Sequence, residues 1–168
     1  ANYSQSREGR LIINEFTIDL NPAGGQMSSP GDANLVLGIS SSVANTSAGH
    51  HALTNLFLVD NSVHGIITDA ELICVETPAG GKTDINLARV NGGNLATKAL
   101  FSGSVDGTVI NAGAQSAPMS TAADLAGTDL DGSYLVLTTG ASTDGVKAAY
   151  TAGKFVIRLY GYDIPDDA

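Results

Sequence analysis

Four clusters in this sequence carry residue types that can do chemistry, and each meets an obstacle in its own spacing. Gly80-Gly81-Lys82-Thr83 ends like a phosphate-binding loop. A Walker A loop needs a glycine five residues before Gly81, where Glu76 stands, and it must open a helix whose amides point at phosphate. Here it separates two apolar runs, which makes it a turn. Asp129-Leu130-Asp131-Gly132 has the texture of a calcium loop. Setting Gly132 at the sixth position puts the first ligand on Gly127 and the twelfth on Thr138, so the EF-hand pattern fails at both ends; the stretch reads as a turn before the Tyr134 strand, with a looser surface calcium site as the alternative. The imidazoles are His50, His51 and His64; the adjacent pair would point to opposite faces of a strand, and all three read as solvent-exposed loop residues. Serines are abundant, but no Gly-x-Ser-x-Gly elbow or triad spacing occurs. No catalytic residue, metal ligand or cofactor site emerges from these patterns.

The elements around those clusters are strands. Gly65–Val90 reads as one long strand, a reversal at Pro78-Ala79-Gly80-Gly81-Lys82, and a second strand paired back on the first. In the first arm Ile66, Ala70, Leu72 and Cys74 fall on one face, and Ile67, Ile73 and Val75 on the other. A strand apolar on both faces belongs inside a sheet or under another chain. The single cysteine, Cys74, excludes an internal disulfide and reads as an inert core thiol.

The chain of 168 residues is 43% hydrophobic and 15% charged, with 20 glycines, which suits one β-rich domain and argues against disorder. Its net charge of −9 opposes binding to nucleic acid and leaves basic or neutral protein surfaces as partners. No apolar run reaches the roughly 18 residues that span a bilayer, and the first residues lack a signal-peptide core, so no membrane association is expected. Synthesis in a reducing cytoplasm follows from the cysteine usage.

Residues 1–10 are polar and aperiodic, and read either as a frayed terminus or as an arm anchored on a neighbouring subunit by Arg7 and Arg10. Strand patterns follow at Leu11–Leu20, Leu35–Ile39, Leu53–Val59, Val105–Ile110, Tyr134–Thr139 and Lys154–Tyr162. Short helical turns are expected at Asn94–Leu100 and, through a capping-box pattern, at Thr121–Asp124. Residues 163–168 form an acidic tail. The whole predicts an all-β fold: a single-domain antiparallel β-sandwich over 11–162, jelly-roll-like, with about eight strands and one or two short helical turns.

Two segments together resemble structural proteins of tailed bacteriophage virions. One is Thr68-Asp69-Ala70-Glu71-Leu72 with Thr83-Asp84-Ile85-Asn86-Leu87; the other runs from Tyr150 to Tyr162, YTAGKFVIRLYGY. Capsid decoration (cement) and head-fibre proteins share this low-charge, Gly/Thr/Ala-rich β texture. The resemblance covers the second half of the chain. It implies a non-enzymatic β-sandwich bound to the major capsid protein on the outside of the shell, commonly as a trimer of copies of itself. In that setting the interface candidates are Arg7, Arg10, Ile73 and Val75; an intrachain loop over Ile73 and Val75 is the plain alternative. A carbohydrate-binding or adhesion module is a second expectation, which would gather Tyr3, Tyr134, Tyr150 and Tyr160 on one surface. A hydrolase or lyase would need a cleft with converging acids.

Overall fold

A computed structural model describes residues 2–22, 27–29, 37–39, 57–91, 105–125, 127–140 and 148–163. In chain order these form β1 (Asn2–Glu8), β2 (Leu11–Asp19), β3 (Met27–Ser29), β4 (Gly38–Ile39), β5 (Phe57–Leu58), α1 (Asn61–His64) and β6 (Ile66–Ala79). Then come β7 (Ile85–Asn91), β8 (Gly107–Ile110), β9 (Met119–Asp124), β10 (Ser133–Thr139), β11 (Ala148–Ala149) and β12 (Ala152–Tyr162). Eight of the strands have four residues or more; six of them, β2, β6, β7, β8, β10 and β12, fall where the sequence predicts strands. The expected strands Leu35–Ile39 and Leu53–Val59 are described only from residues 37 and 57, as β4 and β5; Asn94–Leu100, the Ser40–His51 connection and the tail beyond Asp163 lie outside the described residues.

Two antiparallel sheets make the sandwich. One is five-stranded, in the order β1-β2-β12-β6-β9; the other is four-stranded, β5-β10-β7-β8; a small third sheet joins β11, β3 and β4. The alternation in β2 and β12 has a direct outcome. Phe16 and Ile18 from β2, and Phe155, Ile157 and Leu159 from β12, are buried with Leu72 and Cys74 of β6. Across the interlayer gap they meet Ile85 and Leu87 of β7 and Leu135 and Leu137 of β10. Burying an aliphatic or aromatic side chain contributes about 1.5–3 kcal/mol, so this shared layer is what holds the sheets together.

The Gly65–Val90 hairpin does not form. β6 pairs with β12 and β9, while β7 pairs with β10 and β8, so the intervening turn carries the chain from one sheet to the other. The strands buried on both faces are therefore β7 and β10. Behind the main core, Ala88, Val90 and Val136 form a second small cluster, with Val105 packed against it.

Two of the three register shifts between β12 and β6 each skip a single residue of β6 and change its faces. Thr68 is skipped between the pairs Tyr160↔Asp69 and Gly161↔Ile67, and Val75 between Lys154↔Glu76 and Phe155↔Cys74. An extra residue reverses the alternation beyond it. Ile67 thus turns into the core at 4% exposure, and Ile66 turns out.

Three other expectations change. Residues 2–8 are not an aperiodic arm but a full edge strand, paired with β2 through seven residue pairs. Thr121–Asp124 is part of β9, because the open edge of β6 offers six residue pairs where a helical turn offers one bond. The short helix lies instead at Asn61–His64, where the Asp60 carboxylate accepts from the Ser62 amide at 2.8 Å as its cap.

Candidate functional site

The broad outer face of the five-stranded sheet is organised by β12. Its outward residues Lys154, Val156, Arg158 and Tyr160 stand beside Asp19, Thr17, Glu15 and Ile13 on β2. On the other side stand Glu76, Ile73, Glu71 and Asp69 of β6. Read across the strands, this makes rows. Arg158 Nε donates to Glu15 Oε2 at 2.7 Å, and its Nη1 lies 3.9 Å from Glu71 Oε2. Lys154 Nζ lies 3.9 Å from Asp19 and 3.7 Å from Glu76. Between these two charged rows runs the uncharged row Thr17–Val156–Ile73.

Each cation on this face serves two carboxylates, so the rows carry net negative charge while keeping every cation engaged. The Glu15 hydrogen bond raises the Arg158 pKa above its ordinary value. Tyr160 Oη donates to Glu71 Oε2 at 3.3 Å, and Ser120 Oγ donates to Glu71 Oε1. Partial burial, then the Glu71 charge, raises the Tyr160 pKa, so the phenol stays protonated at neutral pH. The side chains in the rows are a quarter to a half exposed, a surface that can dock without first unfolding.

The four residues expected at an interface do not form one patch. Ile73 lies half-buried in the uncharged row, and Val75 is 50% exposed at its bulge. Arg7 makes an ion pair with Asp163 at 2.9 Å, and Arg10 Nη2 donates to the Asp163 carbonyl at 3.1 Å. Both arginines thus tie the β1–β2 turn to the end of β12. Arg7 lies on the opposite side of the sheet from Ile73, with Tyr3 and Gln5.

The edge strand β1 has a structural reason that its polar sequence conceals. Asn14 is fully buried on β2, and its Oδ1 accepts from Tyr3 Oη at 3.1 Å and from Gln5 Nε2 at 2.8 Å. Asn14 Nδ2 donates to the His64 carbonyl at 3.2 Å. The Tyr3 ring stacks on Phe16 with centroids 4.8 Å apart. A buried amide left without partners costs about 1–3 kcal/mol, so Asn14 holds β1 in place.

His64 is not a solvated loop residue. It is 9% exposed at the end of α1, and its Nδ1 accepts from the Asp60 amide at 3.0 Å. Burial lowers its pKa below the ordinary 6.5. Cys74 is buried, its thiol donating to the Glu76 carbonyl at 3.3 Å, and burial raises its pKa. Its burial in the core is what its mid-strand position predicts.

The other motifs resolve into turns. The Tyr150 ring lies on Gly81, where an added Cβ would stand 2.6 Å from it, and Tyr150 Oη donates to the Lys82 carbonyl at 2.8 Å. The glycine pair is a seat for an aromatic ring. Asp129 Oδ1 accepts from the Asp131 amide at 2.9 Å, and Asp131 Oδ1 from the Asn61 amide at 3.0 Å, so both carboxylates brace the loop before β10. Among the described residues no group of three or more His, Cys, Asp or Glu is placed to hold a metal.

A cavity of about 410 Å³ opens beside that loop, lined chiefly by Ile66, Ile67, Leu125 and Leu130, with Asn61 and Asp129 at its polar side. Among the described residues, Asp129 is the single carboxylate in its lining. The four tyrosines do not share a surface. Tyr150 is in the core, Tyr160 is on the outer face of the five-stranded sheet, Tyr3 is on the inner side of β1, and Tyr134 is on the four-stranded sheet. No described helix is long and apolar enough to cross a membrane.

Fold and surface together define an all-β sandwich of two antiparallel sheets with one broad, acidic, open sheet face. No protein-family model, curated protein or solved structure matches the chain.

Proposed function

We propose that this chain is a non-enzymatic structural protein of a tailed-phage virion, of the capsid-decoration kind. It is made in the host cytoplasm and binds the outer surface of the shell by covering area. The observation that carries this reading is the outer face of the five-stranded sheet. It is wide, half-exposed and patterned in rows, acid–base–acid on either side of Thr17–Val156–Ile73. Such a face suits a protein partner with basic and apolar strips at strand spacing, and here that partner is the major capsid protein. Charged rows fix register and orientation, while burial of Val156 and Ile73 supplies attraction. Repetition over a symmetric shell then multiplies a weak contact.

The test is to add purified, tagged protein to intact particles and locate it by electron microscopy. Density repeating over the shell supports the reading. Labelling confined to tails or fibres, or protein that remains wholly unbound, rejects it. Within a bound sample, the Val156→Asp and Ile73→Asp double variant lowers occupancy at least tenfold, about 1.4 kcal/mol per binding site.

A further inference from the structure

We propose that two copies of this chain join edge to edge through β1, antiparallel and centred on Gln5. This deepens the assembly reading above by naming the contact between copies, but it is a property of the protein in solution and is tested there without a capsid.

Every residue of β1 is exposed, and among the described residues β2 is the one strand paired with it. The Gly9-Arg10 turn closes on the pair Glu8↔Leu11, and the register runs without a shift to Asn2↔Thr17. In a two-residue hairpin the closing pair exchanges both backbone hydrogen bonds, and such pairs alternate along the ladder. Glu8, Ser6, Ser4 and Asn2 therefore spend their amides and carbonyls on β2. Tyr3, Gln5 and Arg7 direct theirs away from the sheet.

A free edge of this kind pairs with another strand unless something prevents it. The usual protections are missing from β1: residues 2–8 contain no proline and no lysine, and the register has no bulge. Its charged residues are Arg7 and Glu8, both at one end.

The sequence of the strand is complementary to itself. About a two-fold axis at Gln5, Tyr3 faces Arg7 of the second copy, Gln5 faces Gln5, and Arg7 faces Tyr3. These are the three residues with outward backbone groups, so the pairing makes about six hydrogen bonds with none out of phase. On the other side Asn2 faces Glu8 and Ser4 faces Ser6. No like charges oppose each other, and each guanidinium stands beside a tyrosine ring, a favourable cation–π arrangement. A two-fold at Ser4 or Ser6 uses fewer of the outward groups. The product is a continuous ten-stranded sheet with the two outer faces side by side. It is a dimer, whereas the resemblance to decoration proteins implies a trimer, so stoichiometry separates the two.

Sedimentation equilibrium of the full chain over a wide concentration range is the first measurement, with a monomer–dimer equilibrium expected. Gln5→Pro removes an outward amide and no backbone bond to β2. It shifts the dissociation constant at least tenfold towards monomer, with the circular dichroism spectrum retained. Because the Gln5 side chain also donates to Asn14 Oδ1 and to the Val63 carbonyl, a cross-linking pair guards against misfolding. The axis sets position 5 opposite itself at about 5.5 Å between Cα atoms, within disulfide reach, while position 4 meets its own copy beyond reach. Gln5→Cys therefore oxidises to a covalent dimer, Ser4→Cys does so at least tenfold more slowly, and buried Cys74 stays out of the reaction. A chain monomeric at every concentration, an oligomer unaffected by Gln5→Pro, or equal cross-linking of the two cysteine variants overturns the proposal. None of these results bears on binding to the shell.

Discussion

Tyr150 donates its hydroxyl hydrogen to the Lys82 carbonyl at 2.8 Å while its ring covers Gly81. The contact sits where the chain leaves one sheet for the other, between the end of β6 and the start of β7. It links the turn to the short connection between β11 and β12, the central strand of the larger sheet. The same contact explains two glycines in a row: Gly80 has φ 86°, and Gly81 has no room for a side chain.

Gly81→Ala therefore destabilises the domain by about 1–3 kcal/mol, since the ring must move within a close-packed core. Tyr150→Phe keeps the packing and removes the hydroxyl's hydrogen bond to the Lys82 carbonyl, at about 1 kcal/mol. Urea unfolding measures both. Equal losses for the two variants would show that the hydroxyl, and not the fit of the ring, dominates.

The lowered pKa of His64 gives stability a pH dependence of defined sign. The folded protein holds the imidazole neutral, with Nδ1 accepting from Asp60, while the unfolded chain takes up a proton near 6.5. The contribution is complete above 6.5 and is lost as pH falls from there through the lowered folded value. His64→Asn can retain an acceptor near the Asp60 amide and does not titrate. Its melting temperature should stay level where that of the wild type falls.

Arg158 offers a test of the outer-face rows. Arg158→Gln leaves Glu15 and Glu71 facing each other across β12 with no cation between them. Because these groups are partly exposed, the cost in stability is about 0.5–1 kcal/mol and shrinks with added salt. A thermal melt at low and high ionic strength checks this; a salt-independent loss would point to packing of the Arg158 stem.

Cys74 should resist alkylation in the folded state and react at once in denaturant. Its thiol is buried beside Phe155, and burial disfavours the thiolate. A native labelling rate near that of the unfolded chain would mean that the β6–β12 ladder opens readily.

The strands with clean alternation, β2 and β12, were legible from Phe16, Ile18, Phe155, Ile157 and Leu159. The turns between them also placed β6, β7, β8 and β10, but not β1 or β9. What was not legible was partnership. Pro78–Lys82 looks the same whether it turns a hairpin or crosses a core, and the difference lies in Tyr150, almost seventy residues away. The bulges at Thr68 and Val75 are set by pairing with β12, so the faces of Ile66 and Ile67 could not be read from β6 alone. Asn2–Glu8 has no apolar periodicity because its partner for burial is one amide, Asn14. At the surface, the acidic residues were visible, but their grouping around Lys154 and Arg158 depends on registers between strands far apart in the chain. Arg7 and Arg10 were singled out as anchors, and their partner Asp163 lies at the far end of the last strand.

The place of β12 between β2 and β6 sets the order in which the molecule can be built. Glu15 and Arg158 are neighbours in space and 143 residues apart in the chain. During synthesis the β1–β2 hairpin is made well before β12 and lacks that neighbour until residues 152–162 leave the ribosome. A hairpin alone is marginal in water, and contacts of such long range form slowly. The amino-terminal strands must therefore wait, with Phe16 and Ile18 uncovered, and a chaperone that shields this hairpin would raise the yield of folded protein.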